Sequence, residues 1–216
     1  MASTSWPTKC WHRMLACQNE PVPDHYFDAD PTGPENRREV TADIWGHRLT
    51  LTTAHGVFAH DGLDKATDVL LRSVEPPSQG NVLDLGCGWG PIACGLAVTE
   101  PALDVWAVDI NSRARDLTRL NADRLGARLH VAHPDQVPAD VTFDQIWSNP
   151  PIRIGKDALH ELLKRWLPRL TPEGIAWLVV GKNLGADSLQ RWLRTEGWQT
   201  ERHSSAKGFR VLRVTR

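Results

Sequence analysis

A strand that ends in three alternating glycines constrains this chain more than any other stretch. Residues 82–92 run Val-Leu-Asp-Leu-Gly-Cys-Gly-Trp-Gly-Pro-Ile, so an apolar run passes into Gly86, Gly88 and Gly90 and then into a helical segment. Glycines let the backbone turn tightly and leave bare main chain against which a ligand can lie. The following helix directs unpaired N–H groups and the positive end of its dipole at that ligand. The pattern therefore predicts a site for a nucleotide-like cofactor.

The details of this turn distinguish among such cofactors. A dinucleotide site has the spacing G-x-G-x-x-G, in which the third glycine lets the helix pack closely on the strand. Here the spacing is G-x-G-x-G, Pro91 stands where that pattern needs its last glycine, and Asp84 lies two residues before the first. A carboxylate there would repel a pyrophosphate and suits a cationic ligand with an amino group. S-adenosylmethionine has a sulfonium, an ammonium and no phosphate, so it fits better than the nicotinamide cofactor of a dehydrogenase.

A second acid follows the next predicted strand. Val-Trp-Ala-Val over residues 105–108 leads into Asp109, and an acid at this place accepts hydrogen bonds from ribose hydroxyls in dinucleotide folds. An ordinary turn followed by a solvated acid is the other interpretation. Because the turn, the helix and the second acid occur together, we favour the cofactor site.

Composition excludes several classes of protein. The chain has 216 residues, of which 41% are hydrophobic and 24% charged, as is typical of a globular protein with one large domain. It contains no apolar run of about 18 residues that would predict a transmembrane helix, and its N-terminus lacks a secretory signal pattern. We therefore expect a cytoplasmic protein that does not bind membranes, with a poorly ordered leader over residues 1–23.

The cysteines and histidines do not form a metal-binding pattern. Cys10, Cys17, Cys87 and Cys94 form no C-x-x-C pair, and the nine histidines lack the spacing of a helical metal site. Reduced thiols fit a cytosolic protein, and we expect Cys87 and Cys94 to pack as small apolar residues. The sequence therefore gives no reason to expect a metal.

Charge is unevenly distributed along a chain whose net charge is −1. Residues 153–216 hold 13 Lys and Arg against 6 Asp and Glu, a net charge of +7, and residues 1–152 carry the balancing −8. A basic C-terminal third beside a cofactor site can attract a polyanion such as RNA. An ordinary solvated helix face explains the charge equally well.

The remaining periodicity predicts an α/β fold. Alternation over residues 37–54 predicts a β-hairpin that turns at Gly46, and Asp64 is placed to cap a helix that Pro76 and Pro77 end. From residue 80 onward we predict strands near 82–86, 104–109, 128–132, 143–148, 174–181, 199–205 and 209–215, and helices near 91–99, 112–125, 156–169 and 186–196. This order predicts a seven-stranded, mostly parallel sheet, covered on both faces, with an antiparallel last strand and a small N-terminal β-hairpin region.

A second unusual stretch follows the fourth core strand, where Ser148 leads into Asn149, Pro150 and Pro151. The prolines stiffen the loop and have no N–H, so the Asn149 and Pro150 carbonyls can face a ligand, and the Asn149 side chain adds an acceptor and a donor. Such acceptors can hold both hydrogens of an exocyclic amine and favour the localised lone pair that attacks a methyl group. A stiff loop between strand and helix is the alternative, which the nearby glycine turn disfavours.

These motifs resemble those of class I S-adenosylmethionine-dependent methyltransferases that act on nitrogen. More narrowly, the chain is similar to the small-methyltransferase family of the RsmC type in His25-Tyr26-Phe27 with Pro31, in Gly56-Val57-Phe58, in residues 149–156 and in Lys207-Gly208-Phe209-Arg210-Val211. The resemblance covers residues 24–216 and implies a Rossmann-like methyltransferase domain, with 24–62 as a β-hairpin extension and 63–216 as the core. It implies S-adenosylmethionine as cofactor and the 2-amino group of a guanine in small-subunit ribosomal RNA as acceptor.

The resemblance also implies roles for individual residues. The implied cofactor-binding residues are Asp84, Gly86, Cys87, Gly88 and Gly90 around the methionine part, Asp109 at the ribose, and Ile110 and Asp135 at the adenine. Asn149 would orient the target amine and border the cofactor, and Pro150 and Pro151 would complete the catalytic loop. Beside these roles, the candidate substrate-binding residues are Phe58, Ile152, Arg153, Lys156, Lys182 and Arg210. A core role is the alternative for Phe58, and solvated surface charge explains the two lysines and Arg210 equally well.

Two departures from the family pattern bear on the substrate. Members that modify guanine often have an aromatic residue after Asn-Pro-Pro, where this chain has Ile152, and a stacked base is worth about 1–3 kcal/mol. Some relatives have two tandem copies of the domain, whereas this chain has one. We expect a monomeric enzyme that acts on ribosomal RNA or the small ribosomal subunit. One alternative is an N-methyltransferase of a small molecule or protein glutamine, and another is a non-catalytic RNA-binding module.

Overall fold

A computed structural model describes residues 34–216. The predicted leader over residues 1–23, the His25-Tyr26-Phe27 box and Pro31 lie outside the described residues. The described part contains nine strands and five helices. In chain order these are β1 (Arg38–Ile44), β2 (His47–Thr53), α1 (Lys65–Ser73), β3 (Gly80–Leu85), α2 (Pro91–Thr99), β4 (Leu103–Val108), α3 (Ser112–Leu125), β5 (His130–Ala132), β6 (Phe143–Ser148), α4 (Lys156–Trp166), β7 (Leu170–Gly181), α5 (Ala186–Thr195), β8 (Gln199–Ala206) and β9 (Phe209–Thr215).

Seven of the strands form one sheet in the order β5-β4-β3-β6-β7-β9-β8. The pairs from β5 to β7 are parallel, and β9 runs antiparallel to both of its neighbours. This confirms the predicted α/β fold with its antiparallel last strand. The strand order reverses between β3 and β6, and ligands of such sheets bind at the carboxyl ends of the strands near this point.

The N-terminal hairpin of β1 and β2 packs on the core. Its two-residue turn has positive φ angles at Trp45 and Gly46, as expected for a hairpin turn that matches the strand twist. A Cβ added to Gly95 of α2 would lie 2.7 Å from Cγ2 of Ile44, so the hairpin and α2 are in close contact. The division of the chain at residue 63 into extension and core stays a prediction.

Both faces of the sheet are covered, as the alternation of strands and helices predicts. One apolar cluster packs the hairpin and helices α1, α2 and α3 on one face of the sheet. A second cluster packs helices α4 and α5 on the other face. Helix α2 is buried almost all round because it lies between the sheet and the hairpin. No helix within residues 34–216 is long and apolar enough to cross a membrane.

Several element boundaries differ from the predicted ones. Helix α4 ends at Trp166 and not at residue 169, because Pro168 has no N–H to continue the helix, and Leu167–Arg169 form a 3₁₀ turn. Strand β5 has only three residues. Strand β7 begins at Leu170, four residues earlier than predicted, and its pairing with β6 shifts register near its start.

Candidate active site

One large cavity lies at the carboxyl ends of β3, β4 and β6. Its volume is about 560 Å³, and its wall includes the glycine turn after β3, the acid after β4 and the Asn-Pro-Pro loop after β6. The two stretches singled out from the sequence therefore converge. The predicted site residues that line the cavity are Phe58, Gly86, Gly88, Asp109, Ile110, Asn149, Pro150, Pro151, Ile152 and Arg153.

The glycine turn presents bare backbone to this cavity. Gly86 and Gly88 have φ angles of 77° and 56°, and a Cβ added at either position would meet no heavy atom within 4 Å. The amides of Gly86 and Cys87 both donate to the Val108 carbonyl, at 2.9 and 3.0 Å. The turn is thus tied to the end of β4 and leaves open space, as required if a ligand is to lie against the main chain.

Asp109 is held firmly at the edge of the cavity. Its Oδ2 accepts a hydrogen bond from the Gly88 amide at 3.0 Å, and its Oδ1 accepts one from the Asn111 amide at 2.9 Å. Burial raises the pKa of this carboxyl, and the two amide donors oppose the rise. Each oxygen has a second lone pair for a ribose hydroxyl. The neighbouring Ile110 is 46% exposed and offers apolar surface to a ring.

Three of the predicted cofactor residues lie beneath the turn and not in the cavity wall. Asp84 is 1% exposed, and its Oδ2 accepts a 3.0 Å hydrogen bond from the Ala93 amide of α2. Cys87 is buried with its Sγ near the hydroxyl of Thr118, and Gly90 precedes α2 in the left-handed conformation. These residues support the turn from below, which differs from the direct ligand contact predicted for them.

The Asn149 side chain is held by the first turn of α1. Its Nδ2 donates to Oδ2 of Asp64 at 2.9 Å and to the Thr67 hydroxyl at 3.1 Å. The Pro150 carbonyl does not face the cavity as an unbonded acceptor, because it accepts a 2.8 Å hydrogen bond from the Ile152 amide in a tight local turn. The side-chain oxygen and the main-chain carbonyl of Asn149 are therefore the acceptors that this loop offers to a ligand.

The loop after β2 completes part of the cavity wall. Phe58, in this loop, lines the cavity and is 39% exposed. Two hydrogen bonds tie the loop to the start of α3, from Nδ2 of Asn111 to the Gly56 carbonyl and from Nη1 of Arg113 to the His55 carbonyl, both at 2.8 Å. The segment that follows Asp109 thus also positions Phe58.

Asp135 lies outside the cavity wall, in contrast to its predicted contact with adenine. It follows β5 in a short turn, and its carboxylate forms a 2.8 Å ion pair with Arg165. Arg165 of α4 does line the cavity, and it donates to the Pro134 carbonyl at 2.8 Å. Sequence reasoning missed Arg165, because nothing local separates it from the other basic residues of α4. Asp64 was predicted only as a helix cap, and its contact with Asn149 was also missed.

The predicted phosphate contacts outside the cavity differ in accessibility. Lys156 and Lys182 are exposed, and Lys182 borders a smaller basic depression of about 320 Å³ together with Lys207. Arg210 borders the same depression, but it is 7% exposed and forms an ion pair with Asp187. Its guanidinium is engaged within the protein, unlike the phosphate contact predicted for it.

Neither thiol near the turn is suited to nucleophilic catalysis. Cys87 and Cys94 are buried and free, and burial raises the pKa of Cys87 well above its usual value and that of Cys94 to about 12. Within the described range, 34–216, no group of three or more His, Cys, Asp or Glu is placed to hold a metal ion. The polar groups that line the cavity include the Asp64 and Asp109 carboxylates, the Asn149 carboxamide and the main chain of the glycine turn, all of which can bind and orient a ligand.

Comparison with known proteins gives consistent matches. The family model for the methyltransferase small domain matches residues 48–213. The uncharacterized protein YbxB of Bacillus subtilis is 29% identical over 196 residues, which are 88% of this chain and 98% of YbxB.

Several longer relatives are ribosomal RNA small subunit methyltransferases. The ribosomal RNA small subunit methyltransferase C of Cronobacter sakazakii is 34% identical over 134 residues, 59% of this chain and 39% of the relative. The protein of the same description from Acinetobacter baumannii is 30% identical over 183 residues, 81% of this chain and 53% of the relative. The chain thus spans about half or less of the length of these two methyltransferases.

One solved structure shares most of the fold. The T. thermophilus 16S rRNA N2 methyltransferase RsmC, in complex with AdoMet and guanosine, superposes with a TM-score of 0.74. The two proteins are 24% identical, and the match covers 86% of this chain and 52% of the other. At this identity the likeness shows that the fold is shared.

Proposed function

The chain belongs to the methyltransferase small domain family, and we propose that it methylates the 2-amino group of a guanine in small-subunit ribosomal RNA. As a member of this family it is a methyltransferase that uses S-adenosylmethionine as methyl donor. The acceptor, and the residues that act on donor and acceptor, are the parts that we propose. Support for a ribosomal acceptor comes from the relatives described as small-subunit ribosomal RNA methyltransferases.

The observation that carries the proposal is that Asn149 and the glycine turn border the same cavity. A transfer between two bound molecules is fast only when the reacting atoms are held close and in line. A turn suited to the donor and a loop suited to an amine therefore need to meet at one edge of the sheet. In this fold they do so because β3 and β6 are neighbouring parallel strands.

On the donor side, the chain would act through main chain and one carboxylate. The bare backbone at Gly86 and Gly88 would hold the methionine part, Asp109 would accept hydrogen bonds from the ribose, and Ile110 would pack on the adenine. Asp84 would contribute indirectly, by holding the start of α2 against the turn. When bound, S-adenosylmethionine supplies an electrophilic methyl group attached to a sulfonium.

On the acceptor side, Asn149 would hold the amine of the guanine. Its Oδ1 and main-chain carbonyl would accept the two amine hydrogens, while Pro150 and Pro151 keep the loop stiff. Acceptors in these positions favour a pyramidal nitrogen with a localised lone pair, and they stabilise the positive charge that develops on it. The nitrogen would bond to the methyl carbon as the bond from that carbon to the sulfonium sulfur breaks, with the electron pair left on sulfur, and it would give up one proton to solvent. No covalent bond to the enzyme is needed.

The entrance of the cavity would contact the RNA around the target. Phe58 and Ile152 would lie against the base and Arg153 near its phosphate, whereas Lys156 and Lys182 would meet flanking phosphates. The guanine would be flipped out or already single-stranded, because its 2-amino group is otherwise engaged in pairing. Ribosomal RNA as the substrate implies that the enzyme acts in the cytoplasm, and we expect it to act as a monomer.

A small molecule or a protein glutamine is the second candidate acceptor. The observation that favours it is the absence of an aromatic side chain at Ile152, where guanine-modifying members often have one. A single assay with labelled S-adenosylmethionine separates the two. We expect label in small ribosomal subunits or naked small-subunit RNA from cells that lack the gene, located at N2 of one guanine, and none in a glutamine peptide.

The role of Asn149 is tested in the same assay. Asn149→Ala should lower kcat by at least about 100-fold, the usual cost of removing a preorganised polar group from a transition state, and it should leave the Kd for S-adenosylmethionine nearly unchanged. Asn81→Ala, at the opposite end of β3, is the matched control and should be fully active. Label in the peptide alone, or full activity of Asn149→Ala, would overturn the proposal.

A further inference from the structure

The carboxylate of Asp64 joins the first turn of α1 to the Asn-Pro-Pro loop. Its Oδ2 accepts hydrogen bonds from the amides of Ala66 at 2.7 Å and Thr67 at 3.2 Å, which is an ordinary helix N-cap. The same oxygen accepts a third hydrogen bond, at 2.9 Å, from Nδ2 of Asn149. Asp64 also lines the cavity. A cap needs only the first two bonds, so the third requires another explanation.

These contacts fix the orientation of the Asn149 carboxamide. An ionised carboxylate only accepts hydrogen bonds, so the nitrogen of the amide, and not its oxygen, must face Asp64. The second hydrogen on Nδ2 is directed at the Thr67 hydroxyl, 3.1 Å away. With both hydrogens engaged, the carboxamide cannot rotate, and its Oδ1 keeps one direction before any substrate binds.

We propose that Asp64 is a positioning residue for methyl transfer, which acts by orienting and polarising the Asn149 carboxamide. This inference rests on the proposed function, in which Oδ1 of Asn149 accepts a hydrogen bond from the target amine. A negative charge beside Nδ2 draws the amide hydrogens toward it and increases the negative charge on Oδ1, since hydrogen bonds in a chain polarise one another. A stronger acceptor at Oδ1 stabilises the positive charge that develops on the amine.

The inference predicts that capping and catalysis can be separated at residue 64. Asp64→Ser keeps a capping hydroxyl for α1, but its shorter side chain cannot also reach Asn149. Asp64→Asn keeps the length of the side chain and an acceptor oxygen but not the charge. The expected order of kcat is therefore wild type, then Asp64→Asn, then Asp64→Ser.

The test measures kcat, the KM for RNA and the Kd for S-adenosylmethionine for each variant. We expect kcat of Asp64→Ser to fall by about 10- to 100-fold, the scale of effect that small misplacements produce, while KM and Kd change by less than about threefold. Asp68→Asn, which removes a carboxylate from the same helix at a residue that pairs with Arg72 and Lys207, is the matched control and should keep full kcat. Unchanged kcat in Asp64→Ser, or a loss explained by a raised Kd for S-adenosylmethionine, would overturn the inference.

A second measurement separates failure of this inference from failure of the proposed function. The shift in Tm caused by Asp64→Ser is measured in the wild-type chain and in Asn149→Ala, which needs no knowledge of the acceptor. If the two side chains are coupled, the shift is smaller in the Asn149→Ala background. An equal or larger shift would overturn the inference even if ribosomal RNA is the substrate, and a smaller shift would support it even if the acceptor is another amine.

Discussion

The Ser148 hydroxyl donates a 2.7 Å hydrogen bond to the main-chain carbonyl of Leu85. Both residues are buried, and each is the last residue of its strand, directly before Asn149 and Gly86 respectively. The ladder between β3 and β6 ends one residue earlier, so this side chain extends the link between the two strands to the edge of the cavity. The bond therefore fixes the spacing between the glycine turn and the Asn-Pro-Pro loop.

Replacing Ser148 with Ala should affect both stability and rate. The Leu85 carbonyl would lose a buried donor, which costs about 1–3 kcal/mol in the free energy of unfolding, and a looser spacing of the two loops should lower kcat by about tenfold. Urea unfolding and labelled-methyl transfer measure the two effects. Ser204→Ala removes a hydroxyl that bonds to Ser73 outside the cavity wall, and it should leave kcat unchanged. Wild-type kcat in Ser148→Ala would show that the bond does not position the loops.

Alanine at two glycines of the same turn should have different consequences. A Cβ at Gly90 would lie 2.9 Å from Cγ2 of Thr118, at a φ of 86°, so Gly90→Ala should lower the free energy of unfolding by about 2–4 kcal/mol. A Cβ at Gly88 meets no heavy atom within 4 Å, so the backbone conformation alone should cost about 1–2 kcal/mol.

The two variants should also differ in their affinity for S-adenosylmethionine. Because the Gly88 position faces the cavity, Gly88→Ala should weaken binding of S-adenosylmethionine by about tenfold or more, measured by calorimetry under conditions where both variants are folded. Gly90→Ala should retain most of its affinity once folded. Equal losses of affinity in the two variants would contradict the assignment of Gly88 to the ligand side of the turn.

Much of this fold and cavity could be predicted because the signals are local. The positive φ angles at Gly86 and Gly88 follow from what glycine alone tolerates, and the stiff loop after β6 follows from Pro150 and Pro151. Parallel strands place their carboxyl ends on one edge, so residues that directly follow β3, β4 and β6 meet without any knowledge of side-chain packing.

The parts that sequence reasoning missed depend on contacts between distant segments. Asp64 and Asn149 are 85 positions apart, and only the packing of α1 against β7 and its neighbouring strands brings the start of α1 to the loop after β6. Arg210 becomes buried because α5 places Asp187 next to it. Asp135 is drawn to Arg165 by the packing of α4. Such pairs have no fixed spacing in sequence, whereas glycine turns and helix caps do.

Asp84 should make the stability of the protein depend on pH. Burial raises its pKa from 3.8 to about 8, the Ala93 amide opposes this rise, and the charge of Asp109 adds to it. Between these two pKa values the folded state binds a proton that the unfolded state does not, so the free energy of unfolding falls as pH rises through this range. Asp84→Asn, which is neutral at every pH, should remove this contribution.

The comparison is made by urea unfolding of both proteins at pH values of about 5, 7 and 9, which cover most of the interval between the two pKa values of Asp84. The free energy of unfolding of Asp84→Asn minus that of the wild type should increase with pH. Only the wild type has a carboxyl at this buried position, and as pH rises it becomes more costly to keep that carboxyl protonated or to bury it ionised. The other titrating groups are common to both proteins and cancel in the difference. A difference that stays constant from pH 5 to 9 would mean that Asp84 is already ionised in the folded state.

Phe58 should contribute to binding of a base but not of the methyl donor. It lines the cavity and is 39% exposed, and stacking of one base on an aromatic side chain is worth about 1–3 kcal/mol. Phe58→Leu keeps an apolar side chain and removes the ring. We expect the KM for RNA to rise by about 5- to 150-fold, with a nearly unchanged Kd for S-adenosylmethionine.

An aromatic side chain at residue 152 should restore the binding of RNA that Phe58→Leu weakens. Ile152 lines the same cavity directly after Pro151, at the place where guanine-modifying members of the family often have a ring. Ile152→Phe, added to Phe58→Leu, should therefore lower the KM for RNA again, whereas Ile152→Leu should not, because only a planar ring can stack on a base. KM is measured by labelled-methyl transfer to small-subunit RNA. If Ile152→Phe and Ile152→Leu give the same KM, the target base does not stack at residue 152, and the proposed place of Ile152 against the base is wrong.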